Sequence, residues 1–325
     1  MLNVKQIRAF VAVYEEGSFS KAAKRINATQ SGLSMQNLQL EQEIGLQLFD
    51  RSPRGVKPTY AGHRLYHLSV GILRSIDQAD AELKALSKGI SGAIRIGLMP
   101  TFTRGVLAPA LTGYIADFAN VKVSVVEAYS AALTAEVAAG NLDFAIVPRA
   151  PTRDGLRTRL LGTDRELLVC RAGGGLQHLA PVCLARQPPL KLIMPARGNA
   201  RRDAFDSYVD LHGIKIAELI DMDAMIATLE FVAKSDFATV LPETICYNDL
   251  DGAIRSLHPL DDPPLMVDYA VIEPAKSGLS RPAALFLERI ELSYRSLKNV
   301  WNGIHHRHAL TSDWAPHDGD ASVAS

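Results

Sequence analysis

The sequence contains no run of about 18 consecutive apolar residues, so no helix is expected to span a bilayer. The Met1 end has no basic head leading into an apolar core, and no signal peptide is expected. Cysteine is scarce. Cys170, Cys183 and Cys246 are odd in number and show no CxxC spacing, which argues against a disulfide framework or a zinc site. They suit a reducing compartment, and a cytoplasmic location is expected. Net charge is also missing, with 35 Lys+Arg against 35 Asp+Glu. Enzyme signatures are missing too: there is no GxGxxG after a strand, no P-loop, no GxSxG and no HExxH. Gly173 to Gly175 precede no helix that opens on Lys-Ser/Thr, so they form a flexible loop rather than a phosphate cradle. An enzyme on the later part of the chain, and a plain solute-binding module, remain the weaker alternatives.

With 325 residues, 47% of them hydrophobic, the chain can build two or three cored domains. Its charge is unevenly spread. Between Met1 and Arg64 nine cations face five anions, a surplus of about four that the rest of the chain cancels. A basic module on a mildly acidic body suits a polyanionic partner.

That module is organised around Phe19 to Arg51, FSKAAKRINATQSGLSMQNLQLEQEIGLQLFDR. Leu2, Ile7, Phe10, Val11, Val13 and Tyr14 recur at helical spacing and stop at Gly17, giving a first helix. A short second helix from Ser20 to Ile26 buries Ala22, Ala23 and Ile26, with Lys21, Lys24 and Arg25 outward. A turn at Asn27 to Thr29 leads to a third helix from near Gln30, with Leu33, Leu38, Leu40 and Ile44 inward. Its first turns present Gln30, Ser31, Ser34 and Gln36, short or amide side chains suited to base edges. Leu46, Leu48 and Phe49 should close the small core. Asp50 to Thr59 reads as a wing of two short strands, in which Arg51, Arg54 and Lys57 meet phosphate or a minor groove.

From Ala61 to Lys88 one long helix is expected, with Leu65, Leu68, Ile72, Ile76, Ala79, Leu83 and Leu86 in a narrow seam. Such a seam is best covered by a second copy of itself, so this is a dimerising linker helix. Beyond Gly92 the pattern alternates. Strands are expected at Ala93–Leu98, Val121–Val126 and Phe144–Val147, with helices at Arg104–Phe118 and Ala131–Ala139. After a linker-like stretch around Pro148, Pro151 and Gly155, the alternation resumes with a strand at Leu167–Cys170, one at Leu190–Met194 and a helix at Ala204–Leu211. A helix at Met222–Ala233 and a strand at Phe237–Leu241 follow. A late strand at Leu265–Ile272 and a helix at Pro282–Trp301 return to the first unit. The expectation is a parallel sheet covered by helices in two α/β lobes. Residues 303–325 are polar and aperiodic and are expected to be disordered. Although His305, His306, His308 and His317 lie there, no metal and no cofactor are expected.

The run IRAFVAVYEEGSFSKAAKRINATQSGLSMQNLQLEQEIGLQLFDR, followed by Pro58, Thr59, Ala61 and Gly62, resembles the N-terminal signature of LysR-type transcriptional regulators. The resemblance extends to about residue 300. It implies a winged helix-turn-helix (1–60), a linker helix (61–90) and a periplasmic-binding-protein-like effector domain (91–302). In that domain lobe 1 takes about 91–160 and 265–302, and lobe 2 about 161–264. It further implies double-stranded DNA as partner, homodimers through the linker helix that assemble as tetramers, contact with RNA polymerase, and no enzymatic activity. By position, Gln30, Ser31 and Ser34 fall where the family contacts bases, with Gln36 one helical step on. The chain departs from the pattern at Met35, at Ser31–Gly32 and at Tyr60, which bears on operator sequence rather than on DNA binding.

The resemblance also implies a small-molecule effector between the lobes, near Thr101, Thr103, Ser130 and Arg149, with Pro195, Arg197 and Asn199 from the second lobe. Strand ends and helix N-termini offer backbone N–H groups to anions, so a small carboxylate is expected, either an acidic or an aromatic-acid metabolite. Two readings stand for these residues. Thr101 and Ser130 either meet the effector or cap helices, and Arg149 and Arg197 either bind it or sit in surface ion pairs.

Overall fold

The computed structural model describes residues 3–52, 55–151, 153–276 and 278–312. Three short helices open the chain: α1 (Val4–Glu16), α2 (Phe19–Arg25) and α3 (Gln30–Ile44). Each start is fixed by its own cap. Asn3 forms a reciprocal box with Gln6, Ser18 accepts from the Lys21 amide, and Thr29 accepts from the Gly32 amide at 3.2 Å. Gly17 and Gly45 end α1 and α3 at positive φ, where other residues are strained. The small alanines Ala22 and Ala23 let α2 approach α1, and Phe10, Leu33 and Leu40 are all at 0% exposure. Fully burying each such side chain stabilises the module by about 1.5–3 kcal/mol.

Three expectations for this core are corrected. Ile26, Leu38 and Leu46 are exposed at 37%, 47% and 55%. The inward turn between Leu33 and Leu40 belongs to Asn37, whose side-chain amide donates to the Leu33 carbonyl at 3.0 Å. A wing of β1 (Phe49–Ser52) and β2 (Gly55–Pro58) follows, paired antiparallel.

The long helix α4 (Tyr60–Lys88) is clamped to this head at its first turn. The Thr59 hydroxyl donates to the Gln47 carbonyl at 2.7 Å and accepts from the Gly62 amide at 3.1 Å. A Cβ on Gly62 would lie 2.2 Å from the Leu48 carbonyl oxygen, so only glycine allows this approach. The helix then runs along α1, where Tyr66 stacks on Tyr14 with centroids 3.9 Å apart and Arg8 pairs with Asp77 at 2.5 Å.

Beyond it, β3 (Gly92–Leu98), β4 (Val121–Glu127) and β5 (Phe144–Pro148) are parallel, with β3 central. Between β3 and β4 lies a helical run of α5 (Pro100–Phe102), a π-turn at Thr103–Leu107 and α6 (Ala108–Asp117). Helix α7 (Ser130–Ala138) joins β4 to β5. The expected all-parallel sheet is corrected after this point. The linker-like stretch runs into a 16-residue strand, β6 (Leu156–Arg171), which pairs antiparallel with β11 (Met266–Pro274). Strand β11 also pairs antiparallel with β5, so these two long strands join the lobes.

In the second lobe come β7 (Leu190–Met194), α8 (Ala200–His212), β8 (Ile216–Asp221) and α9 (Met225–Lys234). Strand β9 (Thr239–Pro242), the single turn α10 (Glu243–Cys246) and β10 (Arg255–Pro259) follow. Strands β9 and β10 both pair antiparallel with β6, while β7 and β8 form a parallel pair of their own. Leu168, Leu192, Met194, Phe205 and Val240 pack this lobe's core. The larger core, with Phe102, Tyr114, Phe144, Tyr269 and Phe286, lies under the β3–β5 side and α11 (Arg281–Ser312).

Helix α11 corrects the disordered tail expected from residue 303, because it stays helical to Ser312; the remaining tail residues lie outside the described ones. Its turns from Lys298 to His305 are held by a buried carboxylate, Glu243, which accepts from Lys298 and His305, while Trp301 Nε1 donates to the Glu243 carbonyl at 3.1 Å. Alongside, the fully buried Asp164 accepts from the Tyr294 hydroxyl at 2.8 Å and the Thr244 amide at 2.9 Å.

Candidate nucleic-acid interface and ligand cleft

The start of α3 projects from the head because Leu33 and Leu40 turn its opposite side into the core. Gln30 and Ser31 are exposed, and Ser34 and Gln36 half-buried. Across the turn, the Ser20 hydroxyl donates to Gln30 Oε1 at 3.0 Å. Lys21 and Lys24 on α2 and Lys57 on β2 are exposed. Arg25 does not join them: it pairs with Glu15 at 2.6 Å and Glu16 at 3.3 Å, and those partners hold its guanidinium pKa above the ordinary value. Arg51 lies on β1, its side chain outside the described residues, and Arg54 is outside them altogether.

Two adjoining cavities open where the lobes meet the crossing strands. One, of about 390 Å³, is lined by Arg149, Met194, Arg201, Phe205, Met266 and Asp268 among others. The second, of about 250 Å³, is lined by Ser130, Thr134, Arg153, Thr158 and apolar residues, and it shares Pro148 and Ala200 with the first. A third recess, of about 560 Å³, lies between Pro100, Glu127 and Tyr129 of the first lobe and Asp223 to Ala227 of the second.

The floor of the first cavity is a buried ion pair. Glu166 on β6 accepts from Arg201 Nε at 3.0 Å and Nη2 at 2.8 Å, and Arg201 Nη2 also donates to the Val240 carbonyl at 2.7 Å. Burial disfavours the Arg201 charge, yet the Glu166 carboxylate outweighs it and keeps the guanidinium pKa above its ordinary value. The mouth is different: Arg149 stands 3.9 Å from Asp268, and both are well exposed. At the start of α7, Tyr129 occupies the cap position without a side-chain hydrogen bond, leaving backbone N–H groups directed beside Ser130. Burial, then the nearby Asp223 carboxylate, holds the Tyr129 phenol above its ordinary pKa.

The residues expected at the effector site are thus divided. Ser130 and Arg149 line the cavities. Thr101 is buried at 1% exposure, and Thr103 donates to Glu127 and to the Pro100 carbonyl. Asn199 caps α8 by accepting from the Arg201 amide at 3.1 Å, and the Pro195 carbonyl accepts from Arg202 at 3.0 Å, so both shape the loop above the cleft. Arg197 is exposed. Sequence reasoning missed Tyr129, Arg201, Phe205 and Asp268. None of them carried a local signal, since apolar spacing starts this helix at Ala204 whereas the structure begins it at Ala200.

Comparison with known proteins gives a consistent result. A family model described as the LysR substrate binding domain matches residues 87–293, and one described as a bacterial regulatory helix-turn-helix protein of the lysR family matches 4–63. The chain is similar to the nitrogen assimilation regulatory protein nac of Klebsiella aerogenes, 27% identical over 303 residues, covering 93% of this chain and 98% of that protein. It is 29% identical to the regulator BenM of Acinetobacter baylyi over 178 residues, 55% of this chain and 58% of that one. Among solved structures, a full-length OxyR variant from Pseudomonas aeruginosa superposes with a TM-score of 0.65 at 17% identity, covering 91% of this chain and 95% of that one. CbnR complexed with its target DNA gives 0.63 at 18% identity, covering 90% and 100%. At these identities the structures share the fold.

Proposed function

The chain belongs to the LysR family of DNA-binding transcriptional regulators, and from that premise we propose that a small carboxylate bound between its lobes sets the angle between paired DNA-reading heads. Its activity is regulatory, not enzymatic. The observation that carries the proposal is the continuity of the parts. A head with an exposed polar first turn of α3 and exposed lysines on α2 and β2 is clamped through Thr59 and Gly62 to a long helix that leads into the cleft-bearing domain.

In this reading Gln30, Ser31, Ser34 and Gln36 meet base edges in the major groove, and Lys21, Lys24, Lys57, Arg51 and Arg54 meet phosphate or a minor groove. Leu68 and Ile72, exposed at 61% and 43%, supply the seam against a second copy's α4. Two such dimers make a tetramer in the cytoplasm, and a change in their relative angle alters DNA bending and the access of RNA polymerase. For the effector, the uncapped start of α7 with Ser130 and Arg153 offers hydrogen bonds and positive potential to a carboxylate, and the apolar wall of the adjoining cavity takes its body.

A thermal-shift panel of aliphatic and aromatic carboxylates on the full chain tests the effector. A ligand raises the melting temperature as its concentration exceeds its dissociation constant, and Ser130→Ala should weaken the response. Neutral amides that stabilise as well as their acids would end the carboxylate assignment.

A further inference from the structure

Helix α3 contains no Lys or Arg between Gln30 and Ile44. The commonest specific contact to a base, from Arg or Lys to guanine O6 and N7, is therefore not open to this helix. Its buried stripe is Leu33, Asn37 and Leu40, each at 0% exposure. At about 100° per residue, Met35 lies nearly opposite that stripe, and Ser31, one turn earlier, shares its outward face. Met35 is 62% exposed, and Leu38, three residues on, is 47% exposed. A single apolar side chain on a protein surface needs no explanation by itself. This one stands at the outermost point of the helix's first two turns, where its neighbours Ser31 and Ser34 are short.

We propose that Met35 is a specificity-determining residue that reads the C5-methyl group of a thymine in the major groove. The inference rests on the reading that the outer face of α3 enters that groove, in a chain whose family binds DNA. A thioether has no donor and is only a weak acceptor, so polar base edges and phosphates offer Met35 little. Among the four bases, only thymine presents an apolar group in the major groove. The unbranched side chain has three rotatable bonds and can settle over that methyl group. Met35 thus favours T·A over C·G, because the cytosine edge carries an N4 donor and no methyl group. Removing one methyl group from the contact should cost about fourfold in affinity.

The test is selection of DNA from a random duplex pool by the purified full-length protein, followed by replacement of each thymine of the selected site by deoxyuridine. That change deletes the C5-methyl group and keeps every hydrogen-bonding group. Fluorescence anisotropy should find a thymine at which uracil weakens wild-type binding about fourfold. Met35→Ala should bind the thymine and uracil forms of that site equally, while Met35→Leu, an apolar side chain of similar volume, should retain the difference. The inference is overturned if no thymine responds, if Met35→Ala keeps the wild-type sensitivity, or if Leu38→Ala rather than Met35→Ala abolishes it. Ser31→Glu places a carboxylate on the same outward face and tests the groove reading separately. If it binds selected DNA as tightly as wild type, that face does not meet DNA and the groove reading itself falls. If it loses binding and no thymine responds, only the role of Met35 falls.

Discussion

Replacing Arg201 by Met should destabilise the effector domain far more than an ordinary point substitution. Arg201 and Glu166 are each about 5% exposed, joined by two hydrogen bonds, and the guanidinium also serves the Val240 carbonyl. Taking away the cation leaves a buried carboxylate without a partner and a carbonyl without a donor. The cost of breaking such a pair is about 3–5 kcal/mol. For a domain of this size each kcal/mol lowers the melting temperature by about 2–4 °C, so Arg201→Met should melt about 6–20 °C below wild type. The double variant Glu166→Met/Arg201→Met removes both charges at once. It should recover most of the loss, because a buried pair replaced by apolar groups of similar volume is often neutral. Circular dichroism melts of the four proteins in this cycle decide the matter. A loss below about 2 °C in the single variant, or a double variant no better than the single, would refute the claim that an unpaired buried charge is what destabilises the domain.

Gln30→Ala should cost about 1–3 kcal/mol on selected DNA and leave random DNA almost unaffected, as read by fluorescence anisotropy; equal losses on both would remove Gln30 from base reading. Lys57→Ala should lower the slope of log affinity against log salt by about one for every sequence. Leu68→Glu should shift sedimentation toward monomer, and a protein that remains dimeric would remove the seam from the interface. Burial holds the His258 imidazole below its ordinary pKa, with Nε2 lacking a partner. The folded chain then binds fewer protons than the unfolded one below about pH 6.5, so this contribution to stability is present above that pH and is lost as pH falls through the folded pKa. His258→Leu should flatten the fall in melting temperature between about pH 6.5 and 5, and a slope equal to wild type would remove His258 as its source.

The head was readable because its determinants are local. Capping residues, helical spacing and the Pro58–Thr59–Ala61–Gly62 run act over a few residues each, and Thr59 and Gly62 lock α4 on the Gln47 and Leu48 carbonyls. Leu38 misled because spacing alone offers α3 more inward positions than this small core can fill, and Leu46 because it follows the stop of α3 at Gly45. The first part of β6, before Leu167, was hidden by Arg157, Arg159 and Arg165 and by Gly162, which broke the apolar pattern. The Gly162 position is needed because a Cβ there would lie 2.5 Å from the Tyr294 ring. The cleft was less readable still. Glu166 and Arg201 are 35 residues apart, and nothing local announces that α8 will lay one on the other. Likewise His305 looked like part of a polar tail until Glu243, which comes from another element, gave it a partner.

The clamp at Gly62 has a mechanical side. A helix of 29 residues at about 1.5 Å each is a rod of about 43 Å, and the glycine contact fixes its near end to the head without a swivel. A tilt of about 10° at the far end therefore sweeps the reading turn through roughly 7 Å, about two base-pair steps along a duplex. Under the proposed reading, a small motion in the cleft-bearing domain would take a pair of heads out of phase with successive grooves, and a looser joint at residue 62 would let the same motion dissipate before it reached the DNA.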